Sequence, residues 1–159
     1  MNELQQQTLS ILEATMSEDK ASIMALSKGG WEGWLQCEYW NALNLQGVST
    51  EREQQYPNQT TRCDMLCKPG GNPLLYIELK ALSEFQGYNV SNFYNNAAQD
   101  LIKLHQMKPS SIPGLALIVI PRGLSNAQTA IDYITSLQQY LVSNITNAVI
   151  FYKPFLSAH

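Results

Sequence analysis

The sequence predicts an α/β protein in which a central mixed β-sheet is flanked by helices. Three observations predict it. Hydrophobic periodicity changes along the chain in the order helix, three strands, helix, strand, helix, strand. Lys68-Pro69-Gly70-Gly71-Asn72-Pro73, dense in turn formers, joins two of the strand-like runs as a hairpin. Leu115 to Ile120 is an unbroken apolar run bounded by Pro113-Gly114 and Pro121, which reads as a strand.

Residues 3 to 28 read as helix in two pieces. Leu9, Leu12 and Met16 recur at helical spacing, Ser17-Glu18-Asp19 looks like a fresh start, and Lys28-Gly29-Gly30 ends the region. A third helix runs from Trp31 to Leu45 and stops near Gly47. The first strand is Glu51 to Tyr56, closed by Pro57; the second is Arg62 to Cys67 and the third Leu74 to Leu82. A helix from Ser91 to Met107 leads into the Leu115–Ile120 strand. The next helix, Asn126 to Ser143, places Ala127, Ala130, Ile131, Ile134, Leu137 and Leu141 on one side. Ala148 to Tyr152 is the last strand, stopped by Pro154. The first three strands suit a meander. The later strand–helix–strand unit needs a crossover, so its two strands are expected to lie parallel.

A chain of 159 residues suits one domain, 1–159, able to bury a core without disulfides, with residues 1–28 as an N-terminal helical extension. The 45% apolar content is that of a globular protein. No apolar run approaches the roughly 20 residues that span a bilayer, and the N-terminus lacks a secretion signal. A soluble, cytoplasmic protein is expected. Cys37, Cys63 and Cys67 have no framework or zinc spacing and read as buried free thiols. The net charge of −3 counts against a chain whose main task is gripping nucleic acid, although a cluster of metal-binding acids lowers the charge by itself.

The informative stretch is Arg62-Cys63-Asp64-Met65-Leu66-Cys67, the turn, then Leu75-Tyr76-Ile77-Glu78-Leu79-Lys80. Side chains alternate faces along a strand, so Tyr76, Glu78 and Lys80 share one face of the third strand. In the second strand Cys63, Met65 and Cys67 form one side and Arg62, Asp64 and Leu66 the other. Folding the hairpin about Gly71 sets Asp64 opposite Glu78, with Cβ atoms about 5 Å apart. Two adjacent carboxylates repel unless a cation joins them, and oxygen ligands suit magnesium or manganese. Such an ion polarises phosphates and acidifies water, while Lys80 can orient or deprotonate that water or hold developing charge.

An aspartate in one strand, then Glu-x-Lys in the next after a short turn, with a helix before and a helix and strand after, resembles the PD-(D/E)xK nuclease superfamily. The likeness covers residues 31 to 120 in element order. It implies a restriction-endonuclease-like fold (an α-β-β-β-α-β core plus an extra α-β) and Mg2+- or Mn2+-dependent hydrolysis of phosphodiester bonds, in DNA rather than RNA. It makes Asp64 and Glu78 metal ligands and Lys80 the catalytic lysine; Cys63 stands where the family often has proline. Many members add a glutamate from the preceding helix. Glu32 and Glu38 both qualify, with Glu32 preferred as catalytic residue and metal ligand. On the helix after Lys80, Gln99 and Lys103 are the candidate phosphate contacts. Glu51 and Glu53 share a face of the first strand and either could extend the acidic cluster. The tryptophans read as packing residues, and His105 has no assigned role. The short chain leaves little room for a sequence-reading module, which suggests a homodimer, a partner protein or non-specific cutting. The alternative is a nuclease-fold binding or regulatory subunit without catalysis.

Overall fold

The computed structural model describes residues 1–26, 30–84 and 90–157. Among the described residues it is an α/β protein with five α-helices and one six-stranded mixed sheet. Helices α1 (Glu3–Met16), α2 (Asp19–Ala25) and α3 (Trp31–Leu45) precede strands β1 (Thr50–Gln55), β2 (Arg62–Cys67) and β3 (Leu75–Ala81). Helix α4 (Val90–Gln106), β4 (Gly114–Pro121), α5 (Ala127–Ser136), β5 (Leu141–Asn144) and β6 (Ala148–Phe155) follow. The helix end expected at Lys28-Gly29 lies outside the described residues.

Each early helix has a local cause. Asn2 and Gln5 form a capping box at the start of α1: each side-chain oxygen accepts from the other's backbone N–H at 2.8 Å. In α3 the fully buried residues Trp31, Leu35, Tyr39 and Leu43 recur every fourth position, a stripe that one helix face can bury. Trp31 and Trp34 stack with ring centroids 5.6 Å apart, and the Trp40 indole donates to the Thr50 carbonyl, so the indoles serve packing.

The strand order is β1-β2-β3-β4-β6-β5. β1, β2 and β3 form the expected antiparallel meander, and β3 and β4 run parallel on either side of the α4 connection. The expectation of two parallel strands around α5 is corrected, because β4 and β6 pair antiparallel from Gly114↔Phe155 to Pro121↔Ala148. The helix expected to reach Ser143 ends at Ser136, and Leu141–Asn144 forms a separate strand. Gln138, with φ 52, lies in the break between them. The crossover therefore delivers β5, which runs the same way as β4. A tight turn then returns the chain as β6, which occupies the position between them.

The main core lies between the sheet and the α1 and α3 helices, where Leu9, Leu12, Met16, Leu35 and Tyr39 meet Leu75, Ile77, Leu79 and Leu117. The segment expected as an N-terminal extension thus supplies part of this core. A smaller cluster on the opposite side of β3 joins Tyr56, Cys63, Leu66 and Tyr76 to Leu104 of α4. Cys63 departs from the expected Cys63–Met65–Cys67 face. Its ladder partner is Gln54; the residue before that, Glu53, has φ 54 and stands opposite Asp64, where the pairing lapses between Arg52↔Met65 and Gln54↔Cys63. Cys63 packs in the smaller cluster beside this distortion, and of the thiols expected to be buried Cys37 is exposed.

Gln5 ties the N-terminal helix to the sheet. It is fully buried, and its Nε2 donates to the Gly114 carbonyl at 2.8 Å and the Phe155 carbonyl at 3.2 Å. Gln5→Ala removes half of the capping box and leaves two carbonyls short of a donor. Urea unfolding is expected to show a loss of roughly 2–3 kcal/mol. An unchanged midpoint would show that this clamp contributes nothing.

Candidate functional site

The β2–β3 register is Met65↔Ile77, Leu66↔Tyr76 and Cys67↔Leu75, and its continuation sets Asp64 opposite Glu78, as the hairpin geometry predicts. Past Met65 the ladder gives way to side chains. The N–H of Leu79 donates to Asp64 Oδ2 at 2.7 Å, and the N–H of Ala81 donates to Glu32 Oε2 at 2.9 Å. Two carboxylates therefore take the hydrogen bonds that a neighbouring strand would have supplied, which removes the cost of burying those donors unpaired. Parallel pairing with β4 from Tyr76 to Ala81 holds this part of β3 on one side, and the Asp64 and Glu32 carboxylates hold its N–H groups on the other, so Glu78 and Lys80 project from a defined backbone.

Around this splayed edge the charged groups interlock. Glu78, 1% exposed, accepts from Tyr56 Oη at 2.7 Å through Oε1, and its Oε2 lies 3.4 Å from Lys103 Nζ. Lys103 also donates to Asp100 Oδ1 at 2.7 Å. Lys80 Nζ donates to Glu32 Oε1 at 2.9 Å and lies 3.7 Å from Asp100 Oδ2. Four carboxylates, Glu32, Asp64, Glu78 and Asp100, thus surround two ammonium groups, Lys80 and Lys103. When all are ionised the acids exceed the bases.

The electrostatics follow from burial and this excess. Burial pushes the Asp64 carboxyl up to about 6; Asp100 and Glu32 act in the same direction, and the Leu79 N–H and Lys80 oppose it. Burial also pushes Glu78 up to about 9, with Asp64 and Asp100 adding to it against Lys103 and Tyr56. For Lys80 burial alone favours the neutral amine, but Glu32, Asp100 and Asp64 outweigh it and the pKa rises. Lys103 is raised in the same way, against burial, by Asp100 and Glu78. Lys80 is therefore an ammonium at neutral pH, suited to holding charge and orienting a water rather than to removing a proton.

Asp64, Glu78, Lys80, Glu32 and Lys103 all reach this cluster. Glu38 does not: it pairs with Lys20 of α2 at 2.8 Å. Gln99 is exposed on α4, one position before Asp100. Glu51 is taken up by Lys68 at 2.7 Å and Glu53 is exposed, so neither extends the acidic group. Two members escaped the sequence reading. Asp100 is 7% exposed and interrupts the polar side of α4; its spacing of three from Lys103 was the available signal. Tyr56 read only as the end of β1, and nothing local marks it as the partner of Glu78.

Among the described residues, no group of three or more histidine, cysteine, aspartate or glutamate side chains is arranged to hold a metal ion. The donor chemistry nevertheless fits a hard divalent cation at the Asp64–Glu78 pair. Each of these carboxyls is made harder to ionise by burial and by neighbouring acids, a penalty that a cation relieves. Asp100 Oδ2 is buried with no hydrogen-bond donor. Glu32 and Glu78 each have both oxygens engaged, Glu32 by Lys80 and the Ala81 N–H, and Glu78 by Tyr56 and, at 3.4 Å, by Lys103. No helix among the described residues is long and apolar enough to cross a membrane. No family model, curated protein or solved structure matches the chain.

Proposed function

We propose that this protein is a metal-dependent nuclease on a restriction-endonuclease-like fold, hydrolysing phosphodiester bonds in DNA in preference to RNA. The observation that carries the reading is the meeting of Asp64, Glu78 and Lys80 at the point where β2 and β3 part, joined there by Glu32 from the preceding helix. Asp64 and Glu78 are the residues to hold magnesium or manganese; Glu32 would join them by releasing Lys80. A bound ion supplies Lewis-acid polarisation of a phosphate oxygen and a more acidic water.

The chain's own groups supply the rest. Lys80, kept charged by Glu32 and Asp100, stands ready to stabilise negative charge gathering on the phosphoryl oxygens. With no ion bound, Glu32 holds that ammonium through Oε1 while its Oε2 accepts from the Ala81 N–H. Lys103, held by Asp100, balances charge beside Glu78 and offers a phosphate contact, with exposed Gln99 nearby on the same helix.

A second reading, a non-catalytic binding or regulatory subunit, is favoured by one specific observation. Glu32, Asp64 and Glu78 already engage the protein's own lysines and backbone donors, in a chain with only 10 Lys and Arg for gripping a polyanion. Calorimetric titration of magnesium and manganese into wild type and Asp64→Ala, run beside cleavage of plasmid and single-stranded DNA, separates the two. Metal binding and cleavage that both disappear in Asp64→Ala support the nuclease. A folded wild type that neither binds metal nor cuts supports the subunit.

A further inference from the structure

We propose that the Lys103 ammonium is a resident counter-cation on Glu78, which leaves that carboxylate when magnesium or manganese binds and is free for phosphate only then. This regulation of the carboxylate site rests on the nuclease reading above. It begins with the oxygens that remain available. Glu78 Oε1 accepts from the Tyr56 hydroxyl at 2.7 Å, and Asp64 Oδ2 accepts from the Leu79 N–H at the same distance. Asp64 Oδ1 and Glu78 Oε2 are left for a cation, and Lys103 Nζ already stands 3.4 Å from the second of them. Glu78 is 1% exposed, so little water screens two positive charges that meet there. Lys80 does not hold this position: its ion pairs are with Glu32 and Asp100, and Lys103 is the lysine paired with Glu78.

Lys103 loses little by leaving Glu78. Its shorter bond is to Asp100 Oδ1 at 2.7 Å, and Asp100 Oδ2 is buried with no hydrogen-bond donor, so Asp100 has a further acceptor to offer the same ammonium. The Lys103 side chain is 26% exposed. Gln99, Ile102 and Gln106 on the neighbouring positions of α4 are exposed, which gives the side chain solvent to turn into. Asp100 thereby keeps the lysine paired in both positions, and Glu78 exchanges one positive partner for another without standing alone as a buried charge.

The two occupancies are reciprocal: the hold of Lys103 on Glu78 weakens the ion, and the ion weakens that hold. Removing the lysine charge therefore tightens the ion. A proton on Glu78 gains from the same removal, but a divalent ion carries twice the charge and gains more.

Calorimetric titration of magnesium into the full chain, as wild type, Lys103→Gln and Lys103→Arg, tests this. Lys103→Gln is expected to bind magnesium about tenfold more tightly than wild type, and Lys103→Arg, which keeps the charge, no more tightly. Wild type that binds magnesium as tightly as Lys103→Gln overturns the displacement and leaves the proposed function standing. An equal gain in Lys103→Arg overturns it as well, because charge is then not the cause. No binding by wild type or by Lys103→Gln overturns both readings. Wild type also answers without a variant. Acylation of Lys103 by acetic anhydride, read by mass spectrometry against exposed Lys20, should rise several-fold on adding magnesium. Equal labelling with and without the ion overturns the displacement.

Discussion

Glu78→Gln is expected to lower magnesium-dependent DNA cleavage by about 10²-fold or more while making the metal-free protein more stable above pH 9. The two effects have one source. Glu78 is almost wholly buried, and burial together with Asp64 and Asp100 opposes its charge. Its return from Lys103 is small, because the pair is 3.4 Å apart and Lys103 has the closer Asp100 at 2.7 Å. Glutamine keeps the shape and the acceptor for Tyr56 but never ionises. Removing a buried, imperfectly paired charge of this kind should stabilise by about 1–2 kcal/mol in alkaline solution. Activity moves the other way because a neutral amide cannot neutralise a divalent cation. Chemical unfolding at pH 9 and above, with cleavage measured on the same preparation, reads both. Unchanged cleavage removes Glu78 from the metal site, and lower stability throughout the pH range makes the carboxylate structural.

The stability of the metal-free wild type is expected to fall as pH rises from about 4 to 9, and added magnesium should flatten that fall. In the folded chain Asp64 titrates near about 6 rather than 3.8, and Glu78 near about 9 rather than 4.5. Both folded values are raised, so the folded state holds these protons more tightly than the unfolded state. Their contribution is fully present below the unfolded values, and is lost as pH passes through about 6 for Asp64 and about 9 for Glu78. The summed effect is on the order of several kcal/mol as an upper bound. The raised lysines do not disturb this window, since their contribution is lost only above their ordinary range near 10.5. A cation on the carboxylates takes the place of the protons, so millimolar magnesium should raise the unfolding temperature at pH 8 and do little at pH 4. Equal effects at both values would place the ion elsewhere. A stability that rises over the window would show that other groups govern it.

Most of the sheet and the centre of the candidate site were legible because alternation and turn chemistry agree there. The Lys68–Pro73 turn fixes the register, and its continuation past Met65↔Ile77 points Asp64 at Glu78. The α5–β5 region was not legible because its signals conflict. Leu137 and Leu141 continue the helical spacing of Ile134, so nothing in the apolar pattern announces that the helix has stopped. The hairpin turn at Ile145–Asn147 has no glycine or proline to mark it. Missing β5 inverted the direction expected of β6. Cys63 was misplaced for a related reason, since a left-handed glutamate in the neighbouring strand is not encoded by strand periodicity. Asp100 and Tyr56 joined the site through tertiary packing of α4 and of the β1 end over Glu78, which local patterns do not contain.

The position of β6 has a consequence for the order in which the chain is made. It is synthesised after every other strand described, yet it sits between β4 and β5 and is bonded along the whole of β4. Until residues 148–155 leave the ribosome, β4 therefore exposes an open edge on the most apolar strand of the molecule, Leu115 to Ile120. A nascent chain in that state is one strand short of closing its centre and carries the kind of surface that aggregates. Any chain that stops short of β6 thus leaves that edge unpaired, and residues 148–155 are what cover it.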